Sequence, residues 1–282
     1  MNRILVTGAT GTVGRQVVSQ LLPTDSRVRA MTRNPDAARL QSGVEVVRGD
    51  LTIPESLDEC LKGVDAIFLV WTAGPGTLAA AIERIIKHVR RIVVLTSPHQ
   101  TPHPFFQQPN PLAALHAEIE RSVKASGVAW TVLRPGMFAA NTLFWWAPQI
   151  RAGDVVRWPY ADAPTAPIDE RDIGAVAVRT LLEAGHNGAD YVLTGPESLT
   201  QAEQVSTIGE VTGRQLRFEE MSPEQARREL PFPESVATML LDAWKAAVGQ
   251  PAYVTPVVAE ITGRTARTFR DWVSDHSAEF SA

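Results

Sequence analysis

The chain has 282 residues, 44% apolar and 21% charged, with a net charge of −4. This excludes wholesale disorder and gives no general electrostatic reason to bind nucleic acid or an anionic membrane. A single cysteine, Cys60, excludes an internal disulfide framework and a cysteine-rich zinc site, and fits a reducing, cytoplasmic compartment.

In chain order, short β-branched runs at 3–7, 27–32, 44–48, 66–71, 91–96 and 129–134 read as strands. They are nearly continuously apolar, as strands covered on both faces are. Amphipathic segments at 12–22, 36–41, 53–61, 76–89 and 112–126 read as the intervening helices. This alternation predicts an α/β fold with a Rossmann-type, doubly wound parallel sheet. Residues 1–134 form the nucleotide-binding domain, its sheet completed by segments after 165. Residues 135–282 read as a smaller α/β substrate-binding portion interleaved with it. Within it, 135–167 is a long Pro-, Gly- and Trp-rich loop with a short helix at 141–150. Helices follow at 172–183, 200–212, 223–229, 235–248 and 268–277, with strands at 191–194 and 215–219. The Pro-rich stretch 97–111 reads as a loop beside the cleft. The longest strongly apolar run, 66–74, is too short to span a bilayer, and the N-terminus lacks a secretory pattern.

In such sheets the ligand crevice lies outside the carboxyl ends of the strands. There, after the first strand, stands Gly8-Ala9-Thr10-Gly11-Thr12-Val13-Gly14, which also opens a helix. Glycines permit a tight turn and a close backbone approach to a pyrophosphate, and the helix N-terminus offers free N–H groups to phosphates. Gly8, Thr10, Gly11, Thr12, Val13 and Gly14 are therefore candidate cofactor contacts. At the end of the second strand an acidic residue would favour NADH. Arg33 stands there instead and suits a 2′-phosphate, so NADPH is expected over NADH, with Arg15 as a second cation. Asp50 and Leu51 follow the third strand, as adenine contacts or as a turn. Trp71 and Thr72 follow the fourth strand and Thr96 the fifth, all expected beside the nucleotide.

The Gly8–Gly14 turn, Arg33-Asn34-Pro35 and Gly49-Asp50-Leu51 resemble the NmrA-like family of atypical short-chain dehydrogenase/reductases. So do His116-Ala117-Glu118-Ile119-Glu120, Leu133-Arg134-Pro135-Gly136 and the run from Gly263 to Val273. The resemblance implies a Rossmann domain, an NAD(P) cofactor and a smaller substrate domain. It implies an activity such as quinone or ketone reduction, and places Pro135 against the nicotinamide. Ordinary short-chain reductases carry a Tyr followed four residues later by a Lys. Here Tyr160, Tyr191 and Tyr253 are followed at that spacing by Pro164, Gly195 and Val257, so that proton relay is absent.

The remaining proton-handling candidates are His116 and Ser97. His116 matches the position where many relatives carry a Lys; its bland alternative is a solvent-facing or capping residue. His99 and His103 on the Pro-rich loop either reach the substrate or belong to the surface. No clustered carboxylates or thiols accompany the histidines, so no metal is expected. Phe138, Trp145, Trp146 and Trp158 either wall the substrate site, form the core of the small domain or make a dimer contact. The expected substrate is a small aromatic ketone or quinone, with no nucleic-acid or membrane partner, and the chain a monomer or homodimer. The missing Tyr–Lys pair leaves two other readings open: a non-catalytic NAD(P)-sensing regulator, and a non-redox cyclase or dehydratase on the same fold.

Overall fold

The computed structural model describes residues 2–281. Strands β1 (Arg3–Val6), β2 (Arg27–Thr32), β3 (Glu45–Arg48), β4 (Ala66–Val70), β5 (Arg91–Leu95) and β6 (Ala129–Pro135) are joined by helices. These are α1 (Thr12–Leu21), α2 (Leu57–Leu61), α3 (Leu78–Ile86) and α4 (Pro111–Lys124). The second half contains α5 (Asn141–Trp145), α6 (Ala147–Ala152), β7 (Val155–Trp158), β8 (Pro164–Thr165), α7 (Glu170–Leu182), β9 (Ala189–Leu193) and β10 (Leu199–Thr200). It ends with α8 (Gln201–Thr212), β11 (Arg217–Glu220), α9 (Pro223–Glu229), α10 (Glu234–Ala247), α11 (Val257–Thr262) and α12 (Phe269–Asp275).

The main sheet has seven strands in the order β3-β2-β1-β4-β5-β6-β9, every pair parallel. β9 comes from the second half of the chain and closes one edge. Side chains alternate between two apolar layers because a strand turns successive residues to opposite faces. Ile4 and Val6 join α1 and α7 on one face, while Leu5 joins α2, α3 and α4 on the other. The chain order reverses between β1 and β4, so the sheet has its switch point there. Thr7 ties that point together: its hydroxyl donates to the Val70 carbonyl at 3.0 Å and accepts from the Val70 N–H at 2.7 Å.

A third apolar cluster belongs to the smaller portion and contains Trp146, Trp158, Trp244 and Trp272, all fully buried. The expected loop 135–167 is more ordered than its composition suggests. Within it, β7 pairs with β11, roughly sixty positions further on, and β8 pairs with β10. The segment of β11 reads as a strand at 215–219, but neither pairing is visible to a local pattern. The expected helix at 36–41 is instead a 3-10 turn over Pro35–Ala37 followed by irregular chain. So short a segment gains too few hydrogen bonds to offset nucleation. Helix α11 was not anticipated. No described helix is long and apolar enough to cross a membrane.

Candidate active site

The Gly8–Gly14 turn is built around its own backbone. Gly8 adopts φ +60°, a left-handed conformation that side chains disfavour. A Cβ on Gly14 would lie 2.1 Å from the Gly8 carbonyl oxygen, so only glycine lets α1 pack this closely on the turn. Gly11 caps α1 without any side-chain hydrogen bond, leaving the first-turn N–H groups unclaimed by a cap. Beside the turn lies a cleft of about 270 Å³ lined by Gly8, Thr10, Gly11, Thr32, Arg33, Asp50, Leu51, Val70 and Thr72, among others. Val13 does not line the cleft, and its side chain is buried in the core.

Arg33 is exposed at the rim of this groove, and its charge reaches Asp50. Asp50 lies below the usual carboxylate range, chiefly because the Thr52 N–H and hydroxyl both donate to its Oδ1 at 2.8 Å. It is thus a turn-forming residue that also lines the groove. Arg15 braces the rim by donating to the carbonyls of Thr10 and Arg39.

Beyond the ends of β5 and β6 lies a second cavity of about 140 Å³. Ser97, Pro98 and His99 line it from β5, and Pro135, Gly136 and Met137 from β6. Phe105 and Phe106 come from the Pro-rich loop, and Met239 and Leu240 from α10. Lys and Arg are absent from its lining.

His116 is half-buried on α4, and its Nδ1 shares a hydrogen bond with Ser97 Oγ at 2.8 Å. Burial, and then the neighbouring charge of His99, hold its pKa below the usual imidazole value, against the pull of Glu120. His99 donates through Nδ1 to the Ser97 carbonyl at 3.0 Å; its Nε2 is buried and has no partner among the described residues. Two imidazoles therefore converge on Ser97, one on its hydroxyl and one on its carbonyl.

The sequence profile of the NmrA-like family matches residues 1–267. The chain belongs to the NmrA-like family. It is 41% identical to a (4-alkanoyl-5-oxo-2,5-dihydrofuran-3-yl)methyl phosphate reductase of Streptomyces griseus, the match covering 99% of each chain. It is 34% identical to an NAD(P)H azoreductase of Xenophilus azovorans, again over 99% of each chain. Among solved structures it resembles an NADPH-dependent quinone oxidoreductase of Escherichia coli complexed with NADPH, with a TM-score of 0.81 and 26% identity. That match covers 97% of this chain and 99% of the other.

In this NmrA-like chain several expected site residues lie elsewhere. Trp71 is buried among the α2–α3 side chains, and Val70 faces the groove instead. Period-two alternation puts Trp71 on the same side as Leu69. The Thr96 hydroxyl points into the protein and donates to Glu120 at 2.8 Å, so it is not turned toward a nucleotide. Trp146 and Trp158 are fully buried and Trp145 stacks on Trp158, forming the core of the small domain and no chamber wall. Such large apolar rings gain more from mutual burial than from a half-open cleft. Phe138 packs beside the main core and bridges to Ile168. His103 is buried rather than on the surface: it donates to the Pro251 carbonyl at 2.9 Å, accepts from the Phe105 N–H, and lines a small cavity with Phe105, Phe106, Gly136 and Met137. The residues missed are Phe105, Phe106, Met137 and Met239. Adjacent aromatics in a Pro-rich loop were a usable sign; Met239 on α10 gave none.

The described residues contain no group of three or more His, Cys, Asp or Glu arranged to hold a metal.

Proposed function

We propose that this chain uses NADPH to reduce a small, flat, uncharged acceptor, an aromatic ketone or more readily a quinone. It is an NADPH-dependent oxidoreductase; its named relatives are reductases, and a structural neighbour was solved with NADPH. The observation that carries the finer reading is the apolar chamber at the ends of β5 and β6, on the same sheet edge as the glycine groove.

The groove suits the cofactor. Gly8 and Gly14 occupy positions where a side chain would clash or strain, and α1 begins without a side-chain cap. Backbone N–H groups of the turn would hold the diphosphate, and Arg33 would hold the 2′-phosphate. NADPH supplies the hydride when bound. Phe105, Phe106, Met137 and Met239 exclude water and hold a flat ring by apolar contact. Ser97, backed by His116, offers the acceptor oxygen a hydrogen bond. A neutral buried imidazole is a very weak acid that can share a hydrogen bond but hardly give up a proton, which suits a quinone better than an unactivated ketone. A phosphorylated acceptor such as that named for the Streptomyces relative would meet no Lys or Arg in this chamber.

The test is NADPH consumption by purified protein with naphthoquinones, aromatic ketones and phosphate esters. Quinones should turn over fastest and phosphate esters slowest. NADPH binding without oxidation across the panel would leave the sensor reading standing. Product formation without added nicotinamide would point to non-redox chemistry.

A further inference from the structure

Glu120 and Arg134 form an ion pair nearly closed to solvent, at 3% and 8% side-chain exposure. Arg134 holds both carboxylate oxygens, with Nε at 2.9 Å from one and a terminal nitrogen at 2.5 Å from the other. The Thr96 hydroxyl donates to the same carboxylate at 2.8 Å, and the Arg134 terminal nitrogen also reaches Gln100 Oε1 at 3.3 Å. Lys124 and Asp190 complete the network from outside. Lys124 Nζ lies 2.8 Å from Asp190, and Asp190 lies 3.5 Å from Arg134. Burial pushes Glu120 upward, but hydrogen bonds from Arg134 and Thr96 outweigh it and keep the carboxyl below its ordinary value.

Stability alone is a poor explanation for such a pair. Desolvation offsets much of the attraction, and apolar residues of similar volume often serve as well. The placement is more telling. Thr96 directly precedes Ser97, Gln100 directly follows His99, and Arg134 directly precedes Pro135. Glu120 lies one helical turn beyond His116 on the same face of α4. Thr96, Gln100 and Arg134 therefore each adjoin a residue that lines the chamber, and Glu120 lies beside one that bonds to Ser97.

We propose that Glu120 and Arg134 are positioning residues, a buried clamp that fixes segments 96–100 and 135–137 to α4 and so sets the shape of the acceptor chamber. They touch no acceptor themselves; they act through Ser97, His99 and His116. The inference rests on the reading that this chamber takes the acceptor.

Glu120→Gln alone would leave the buried Arg134 with only the more distant, partly exposed Asp190 as counter-charge and is expected to destabilise the fold. The discriminating variant is Glu120→Met with Arg134→Leu, which removes both charges and keeps the volume. It should fold cooperatively and bind NADPH within about threefold of wild type. Its kcat with a naphthoquinone should fall about tenfold or more, its acceptor KM should rise, and amide exchange across 97–108 should quicken. Wild-type kcat and KM in the folded double variant would overturn the clamp, even if exchange had quickened. Should the double variant not fold, Thr96→Val cuts a single bond and leaves the pair intact. It should lower kcat by a few-fold and quicken exchange, and no change in either would overturn the proposal. If wild type oxidised no NADPH with any quinone, the functional reading would fall separately. The exchange comparison, which needs no acceptor, would then decide on the clamp, and unchanged exchange would sink it.

Discussion

The nucleotide groove and the acceptor chamber occupy the same edge of one sheet but are built in opposite ways. The groove is mostly backbone: a glycine turn, an uncapped helix start and the ends of adjacent strands, with Arg33 at the rim. The chamber is mostly side chains, brought together from the 97–110 loop, the end of β6 and α10. Backbone sites fail when atoms collide and discriminate little beyond shape and charge. Side-chain sites tolerate change but set selectivity. Substitutions in the two regions should therefore fail in different ways.

The largest effect is expected at Gly14→Ala. Its new Cβ has no room beside the Gly8 carbonyl, so the turn and α1 must separate. A loss of about 3 kcal/mol of stability, or abolished NADPH binding, should appear in thermal melts and titrations. Wild-type behaviour on both counts would break the backbone account of the groove. Next comes Arg33→Glu. Losing a charge-assisted contact to the 2′-phosphate should weaken NADPH by roughly 10- to 100-fold while changing NADH little. Parallel affinity measurements with both coenzymes check this, and equal losses would remove Arg33 from phosphate recognition.

Legibility followed the same division. The groove was readable because Gly8, Gly11 and Gly14 are contiguous with the strand and helix they join, and because backbone requirements appear in sequence as glycine. Arg33 was readable because a strand end has a fixed place relative to that turn. The parallel sheet was readable for a related reason: strands covered on both faces are continuously apolar. The chamber was readable only at its strand ends, where Ser97, His99 and Pro135 stand; its aromatic and α10 walls were not. The aromatic-rich stretch after Pro135 suggested a wall, but Trp146 and Trp158 had to satisfy the hydrophobic core of the small domain first. β7 stayed hidden because its partner β11 lies far along the chain. His116 and Ser97 were identifiable singly, yet their contact depends on how α4 crosses the end of β5.

His116→Ala sharpens the comparison from the chamber side. It should lower quinone turnover by up to about 100-fold and leave NADPH affinity unchanged. The lowered pKa of His116 also fixes the sign of a pH effect. The unfolded chain binds the proton more readily, so this histidine's contribution to stability is intact above the unfolded value of 6.5. It is lost as pH falls through the lower folded value. Acceptor kcat/KM should be flat above pH 7 and change only on the acid side, and His116→Ala should remove that limb. A wild-type limb centred above 6.5 would contradict the assignment.

The smallest effect is expected far from both sites. Glu170 on α7 accepts a hydrogen bond from the Trp272 indole at 3.0 Å, and burial pushes its carboxyl above the ordinary value. A raised acid favours the folded state at low pH, and that advantage disappears as pH rises through the folded value. Glu170→Gln retains an acceptor for Trp272 without a buried charge. It should raise the melting temperature by about 1–3 °C at pH 7 and by less at pH 4. Destabilisation at pH 7 would show that His276, 3.6 Å away, compensates the carboxylate.

The central claim is that the glycine turn and Arg33 form an NADPH site, and calorimetric titration of the folded wild-type chain tests it most directly. One NADPH per chain should bind with measurable heat, about tenfold or more tighter than NADH. No heat with either coenzyme, or tighter binding of NADH, would contradict it.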